Sequence, residues 1–235
     1  MRVKLGRTYK TVLAERRRVA EKTLEVSLER PDGFMFQPGQ YVQLGLPKLV
    51  HSDWKGRSRV LSLASSPAEE ERLRVAFRET GSGYKRTLSE LPIGSPLLVQ
   101  GPHGFRTLPV SPSRPRVLVA GGIGITAYLS VLRFVAESNE PQDAAITLLY
   151  ANRTKATAAY LDELTAIVRR HDNISVSTKF GALDEKFVRS RVKDAHGCIW
   201  HLAGPPPMVD SIRNLLFLRG VDPRRVCFEE FVGYW

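Results

Sequence analysis

Midway along the chain the apolar residues change their period, and few folds accommodate such a change. Up to about residue 110 they alternate or form short β-branched runs, at 9–13, 23–28, 41–46, 59–63, 73–78 and 96–100. Turn signals separate these runs at Pro31-Asp32-Gly33, Pro38-Gly39, Gly81-Ser82-Gly83 and Ile93-Gly94. About six short strands in succession predict an antiparallel six-stranded β-barrel or sandwich. From residue 116 onward, strands at 116–120, 145–150, 174–178, 198–203 and 226–231 alternate with helices at 128–137, 158–170, 185–192 and 207–219. Continuous apolar strands interleaved with helices predict an α/β parallel sheet covered on both faces. Ser111-Pro112-Ser113-Arg114-Pro115 breaks both patterns, so two domains are expected, 1–112 and 113–235.

With 235 residues the chain is long enough for two such cores. Its two cysteines, Cys198 and Cys227, are too few for an iron–sulfur cluster and too far apart for a C-x-x-C pair. The longest uncharged stretch, 117–132, is interrupted by Gly121, Gly122 and Gly124 and is short for a membrane span. The first residues are basic but carry no apolar signal segment, so a soluble, cytoplasmic protein is expected. None of the five histidines has metal-ligand spacing. The net charge of +11 is uneven: 1–112 holds 19 Lys+Arg against 11 Asp+Glu, and 113–235 holds 16 against 13. A basic face suits phosphate-rich cofactors or an acidic partner, and no recognition motif points to nucleic acid.

Two glycine turns carry the chemical signal of the second half. The strand ending at Ala120 runs into Gly121-Gly122-Ile123-Gly124-Ile125-Thr126 and then a helix. Glycines let the backbone approach a pyrophosphate, and a helix N-terminus offers N–H groups to it. Ala203-Gly204-Pro205-Pro206-Pro207-Met208 repeats the arrangement at another strand end. Two such turns on one parallel sheet suit a ligand lying across the carboxyl ends of the strands.

The order of motifs resembles the ferredoxin–NADP reductase family of flavoproteins over nearly the whole chain. PGQYVQLGLP (38–47), RVLSLASSP (59–67), GPHGF (101–105), AGGIGIT (120–126), AGPPPM (203–208) and EEFVGYW (229–235) stand in the family's order and rough spacing. The resemblance implies an FAD-binding barrel followed by an NAD(P)-binding domain, with NADPH or NADH passing hydride to the flavin N5.

The same resemblance implies site residues. Arg59 matches the arginine that pairs with the flavin pyrophosphate, a role suited to a planar guanidinium. Val60 and Leu61 follow, and Leu61 replaces the usual Tyr or Phe that stacks on the flavin ring. Ser62 matches the serine beside N5, and Ser65 the second serine of the motif. Ala76, Phe77 and Arg78 occupy the strand that borders flavin and ribityl chain. The turn Gly81-Ser82-Gly83-Tyr84-Lys85-Arg86-Thr87, with Lys85, Arg86 and Thr87 placed before a helix expected at 88–91, resembles the segment whose amides, hydroxyls and cations close over the FAD phosphates.

In the second domain Gly122, Gly124 and Thr126 resemble the nicotinamide-nucleotide phosphate loop. Gly204 and Pro205 follow Ala203, which stands where the family usually has cysteine. Glu229 and Phe231 resemble the acidic–x–aromatic ending, with Phe231 gating nicotinamide access and Glu229 handling a proton. Trp235 resembles the terminal aromatic that folds over the FAD. Arg153, Lys155 and Lys179 are candidates for an adenosine 2′-phosphate, which leans the cofactor toward NADPH.

Because the chain holds no cluster or haem domain of its own, electrons are expected to leave to an external acceptor. A ferredoxin, a flavodoxin, an oxygenase component or a small molecule would serve, and the basic first half favours an acidic carrier. Two alternatives stay open: a reductase subunit of a larger complex, and a nucleotide-binding module of this fold that no longer turns over.

Overall fold

The structure, a computed structural model, describes residues 6–104, 114–137 and 144–231. It divides into two compact units, Met1–Leu108 with Leu129–Phe134, and Pro109–Tyr128 with Val135–Trp235.

The first unit is built on six antiparallel strands: β1 (Arg7–Ala20), β2 (Thr23–Glu29), β3 (Tyr41–Gly45), β4 (Ser58–Ser62), β5 (Arg72–Arg78) and β6 (Pro96–His103). Their order is β4-β3-β6-β1-β2-β5. The two edge strands meet just past the end of β4, where Leu63 bridges Val75 and the Ala64 N–H donates to the Arg74 carbonyl at 2.7 Å. The Arg74 N–H donates to Ser65 Oγ at 3.1 Å. These contacts close the sheet into a barrel and remove its open edges. The alternation read along the chain supplies the interior: Leu13, Val26, Leu28, Val42, Leu44, Leu63, Leu73, Val75 and Phe77 are fully buried. Glu25 is also buried, held by Arg17 at 2.7 Å and Arg133 at 3.5 Å.

The helix of this unit differs from expectation. α1 spans Gly83–Glu90, so it starts five residues earlier than the 88–91 stretch. Ser82 is its N-cap, its side chain accepting from the Lys85 N–H. Lys85, Arg86 and Thr87 therefore lie inside the first turns of the helix rather than ahead of it.

The second unit is a parallel sheet of β7 (Arg116–Gly121), β8 (Ile146–Asn152), β9 (Ile174–Phe180), β10 (Ile199–Gly204) and β11 (Val226–Glu230), ordered β11-β10-β7-β8-β9. Helices α2 (Thr126–Glu137), α3 (Leu161–Arg170), α4 (Glu185–Arg191) and α5 (Pro206–Leu218) connect these strands. A 3-10 turn over Gly122–Ile125 precedes α2. The strand order reverses at β7, since β8 lies on one side of it and β10 on the other. Such a reversal opens a crevice at the carboxyl ends of the strands. Among the described residues no helix is long and apolar enough to cross a membrane.

Candidate functional site

The first unit gathers an anion seat at the N-terminus of α1. Helix N-termini leave backbone N–H groups without helical partners and carry positive potential. Here a carboxylate fills the position. Asp53 Oδ2 accepts from the Tyr84 N–H at 2.9 Å, from Ser82 Oγ at 2.7 Å and from Arg59 Nη2 at 2.5 Å. Its Oδ1 accepts from the Lys55 N–H at 2.9 Å. Burial works against the charge of Asp53, but the hydrogen bonds from Tyr84, Ser82, Lys55 and Arg59 outweigh it and hold the carboxyl well below the usual carboxylate range.

The surroundings are strongly cationic. Arg59 also donates through Nη1 to the carbonyls of Ser58, Gly56 and Lys55 at 2.7, 3.0 and 3.2 Å, and lies 4.8 Å over the Tyr84 ring. Lys85 is buried, and burial followed by the charges of Arg59, Lys55 and Arg78 pulls its ammonium down to about 8, with Asp53 opposing. Four cations that act on one another, with Asp53 opposing them, suit a group with more negative charge than Asp53 supplies.

The segment that carries Asp53 is fastened to the helix. The N–H groups of Val50 and His51 donate to Thr87 Oγ1 at 3.2 and 3.1 Å, and His51 Nε2 lies 2.5 Å from Glu90. At Gly83 an added Cβ would fall 2.1 Å from the Ser52 carbonyl oxygen, so only glycine permits this approach. Trp54, beside Asp53, is 90% exposed.

Of the residues singled out from the sequence, Arg59 and Lys85 stand together in this seat, with Arg78 close to Lys85. Thr87 is buried with its hydroxyl oxygen accepting from the Val50 and His51 amides, a tie within the unit. Arg86 is exposed and pairs with Glu90 at 3.2 Å. Leu61 and Phe77 sit in the barrel core, while Val60 is 57% exposed. Ser62 and Ala76 are buried, and Ser65 uses its hydroxyl to close the barrel. Ser82 and the Tyr84 amide belong to the 81–87 turn singled out in the sequence, but Asp53 went unread: it lies about 30 residues away with no local pattern to link it.

In the second unit the two glycine turns interlock. A Cβ on Gly124 would lie 2.2 Å from the Ala203 carbonyl oxygen, and one on Gly121 would lie 2.5 Å from Met208 Sδ. A Cβ on Gly204 would approach Gly121 Cα to 3.0 Å. Gly122 adopts φ 54°, open to glycine at no steric cost. The Thr126 hydroxyl donates to the Ile123 carbonyl at 2.9 Å and stabilises the turn from within. Pro205 is the N-cap of α5.

Glu229 pairs in register with Ala203, and the Phe231 N–H donates to the Gly204 carbonyl at 2.9 Å, so Phe231 lies beside the second turn. Burial raises the carboxyl of Glu229 above its ordinary value. Tyr128, also unread in the sequence, is buried near it, and burial, Glu229 and Cys227 all push its phenol up. At the end of β8, Asn152 is buried with no hydrogen-bond partner for either side-chain polar atom among the described residues. Arg153 next to it is exposed.

Lys179, a candidate for the adenosine 2′-phosphate, is already engaged. Its ammonium is paired with Asp184, the N-cap of α4, and lies 5.3 Å over the Phe187 ring. Trp235 and Phe105 lie outside the described residues.

Residues 118–214 match the model of the oxidoreductase NAD-binding domain. Ferredoxin–NADP reductase B of Sorangium cellulosum is 36% identical over 153 residues, 64% of this chain and 60% of that protein. The similarity is to an oxidoreductase NAD-binding domain and to a ferredoxin–NADP reductase. A further relative, the propane 2-monooxygenase reductase component of Gordonia sp., is 26% identical over 229 residues, 90% of the chain and 63% of that protein. The chain thus spans less than two thirds of the length of these relatives. Its fold is that of a cytochrome P450 reductase from Amycolatopsis, with TM-score 0.80 at 22% identity over 98% of the chain and 72% of that structure.

Proposed function

We propose that this chain is a flavin-dependent NAD(P)H oxidoreductase that hands electrons to an external acceptor. The observation that carries the reading is the anion seat of Arg59, Lys85 and the first amides of α1. A carboxylate already sits there as a stand-in for phosphate. The fit is good in charge and in donor type, because a pyrophosphate needs N–H donors and fixed cations in one place.

Bound FAD would supply a hydride-accepting atom and release electrons singly or in pairs. The residues of the chain would do the rest. Arg59, Lys85 and the Tyr84 N–H would hold the pyrophosphate, and the buried Ser62 hydroxyl would donate or accept a hydrogen bond at the flavin edge. The turns at Gly122–Gly124 and Gly204–Pro205 would let a nicotinamide nucleotide approach the backbone, and Phe231 would control that approach. Glu229, with its raised carboxyl, would retain a proton to higher pH than an ordinary glutamate. Arg153 and Lys155 are the exposed cations left for an adenosine 2′-phosphate, now that Lys179 is neutralised by Asp184.

The relatives' names include reductase components of monooxygenases, which favours an oxygenase component or a small electron-carrier protein as the acceptor. Anaerobic addition of NADPH to the flavin-loaded protein should bleach the flavin bands. A protein that holds no flavin when FAD is supplied overturns the reading. Arg153→Ala should raise the KM for NADPH about tenfold, the loss of one charge-assisted phosphate contact, and leave the KM for NADH unchanged. Steady-state kinetics with the two nucleotides check this.

A further inference from the structure

The seat proposed for the flavin pyrophosphate is held by the protein's own carboxylate. We infer that Asp53 is an internal competitor for that seat and sets the affinity for the anion, which must displace it to bind. The inference rests on the proposed flavin site and adds to it a residue that opposes loading.

Three observations carry it. First, the donors are saturated. Arg59 Nη2, Ser82 Oγ and the Tyr84 N–H converge on Asp53 Oδ2, while Arg59 Nη1 is spent on three carbonyls of 55–58. No incoming oxygen reaches the Tyr84 amide in this arrangement unless the carboxylate leaves it. The Asp53 side chain is only 4% exposed, so it occupies the seat rather than its rim.

Second, the competition is between unequal charges. Arg59 pairs with the carboxylate at 2.5 Å, and the charges of Arg59, Lys55, Arg78 and Asp53 all act on the buried Lys85 ammonium. A pyrophosphate bridge carries two negative charges and more acceptor oxygens, so it can replace Asp53 and still gain attraction. Asp53 therefore weakens binding without abolishing it.

Third, the competitor rides on a segment with its own attachments. Val50 and His51 are bonded to Thr87, and His51 to Glu90. The Gly56 N–H donates to the Asp53 carbonyl at 3.0 Å and the Lys55 N–H to its carboxylate at 2.9 Å. Displacing the carboxylate releases the Lys55 N–H, and leaves the backbone turn at Gly56 and the anchor at 50–51 on α1 in place. Binding of the anion is thereby coupled to loosening beside the exposed Trp54 and Lys55.

The test uses the full chain freed of bound nucleotide, titrated calorimetrically with inorganic pyrophosphate and, separately, with FAD. Asp53→Asn keeps the volume and removes the charge, and it should bind each ligand about tenfold more tightly than the wild type, the effect of removing one charge-assisted competitor. Equal or weaker pyrophosphate binding by Asp53→Asn overturns the inference and makes Asp53 a support for Arg59 instead. Tighter pyrophosphate binding with no FAD binding by either protein keeps the inference and removes the flavin reading. FAD binding that is unchanged or weakened in the variant does the reverse.

Hydrogen exchange on the wild type needs no variant to fold. Saturating pyrophosphate should speed exchange at the amide of Lys55 while protecting that of Tyr84. Slower exchange at both would mean that the carboxylate stays in place, and the inference would fall.

Discussion

Lys85 is the residue whose chemistry is most exposed to pH. Burial, with Arg59, Lys55 and Arg78 behind it, brings its ammonium to about 8 from an ordinary 10.5. The folded protein therefore binds fewer protons than the unfolded chain between those values, and stability rises with pH across that window as the burial penalty is relieved. Anion binding has the opposite sign, because the discharged amine no longer attracts phosphate. Pyrophosphate affinity should fall as pH rises through about 8 in the wild type. In Lys85→Arg the fall should disappear, since a guanidinium stays charged throughout. Calorimetry at a series of pH values separates the two. Arg59 and Lys85 were legible in the sequence as cations beside family-like motifs. The carboxylate between them was not, because the contact of Asp53 with Tyr84 spans 31 positions and depends on the barrel having closed.

Among the elements, strands were read more closely than helices. The strands expected near 23–28, 73–78 and 96–100 form β2, β5 and β6, because a period of two leaves few ways to place a buried face. Helix starts depend on single residues instead. α3 was expected from 158 but begins at Leu161, since Tyr160 adopts φ 64° and cannot continue a right-handed helix. The turn before it is held from below, with the buried Ala159 N–H donating to the Tyr150 hydroxyl at 3.1 Å. Tyr150→Phe strands that amide in an apolar environment and should cost about 1–3 kcal/mol. Urea denaturation of the variant gives the value directly. The start of α1 was missed for a related reason: Ser82 is followed three residues later by Lys85, where a capping box would carry Glu or Gln.

For the molecule as a whole, charge is the property with a functional consequence. The excess of basic residues is concentrated in 1–112, the half that carries the proposed flavin seat. We attribute it to docking of an acidic electron carrier. Reduction of such a carrier should then slow as salt rises from about 0.05 to 0.5 M, over which the Debye length shrinks below the spacing of surface charges. Reduction of a small neutral acceptor should not change over the same range. Stopped-flow measurement with both acceptors decides the matter, and equal salt dependence would return the charge to simple solvation.

The glycine turns of the parallel sheet have a genetic counterpart. Gly121 and Gly204 share an obstacle: a Cβ on Gly121 would lie 2.5 Å from Met208 Sδ, and one on Gly204 would lie 2.7 Å from Met208 Cε, so a side chain at either position would push Met208 aside. Once one substitution has moved Met208, the second meets less resistance. Gly121→Ala and Gly204→Ala should therefore each destabilise the protein on their own, by about 1–3 kcal/mol. The double variant should lose less than the two together, by about 0.5 kcal/mol or more. In a population of variants these two positions would be expected to change jointly or not at all.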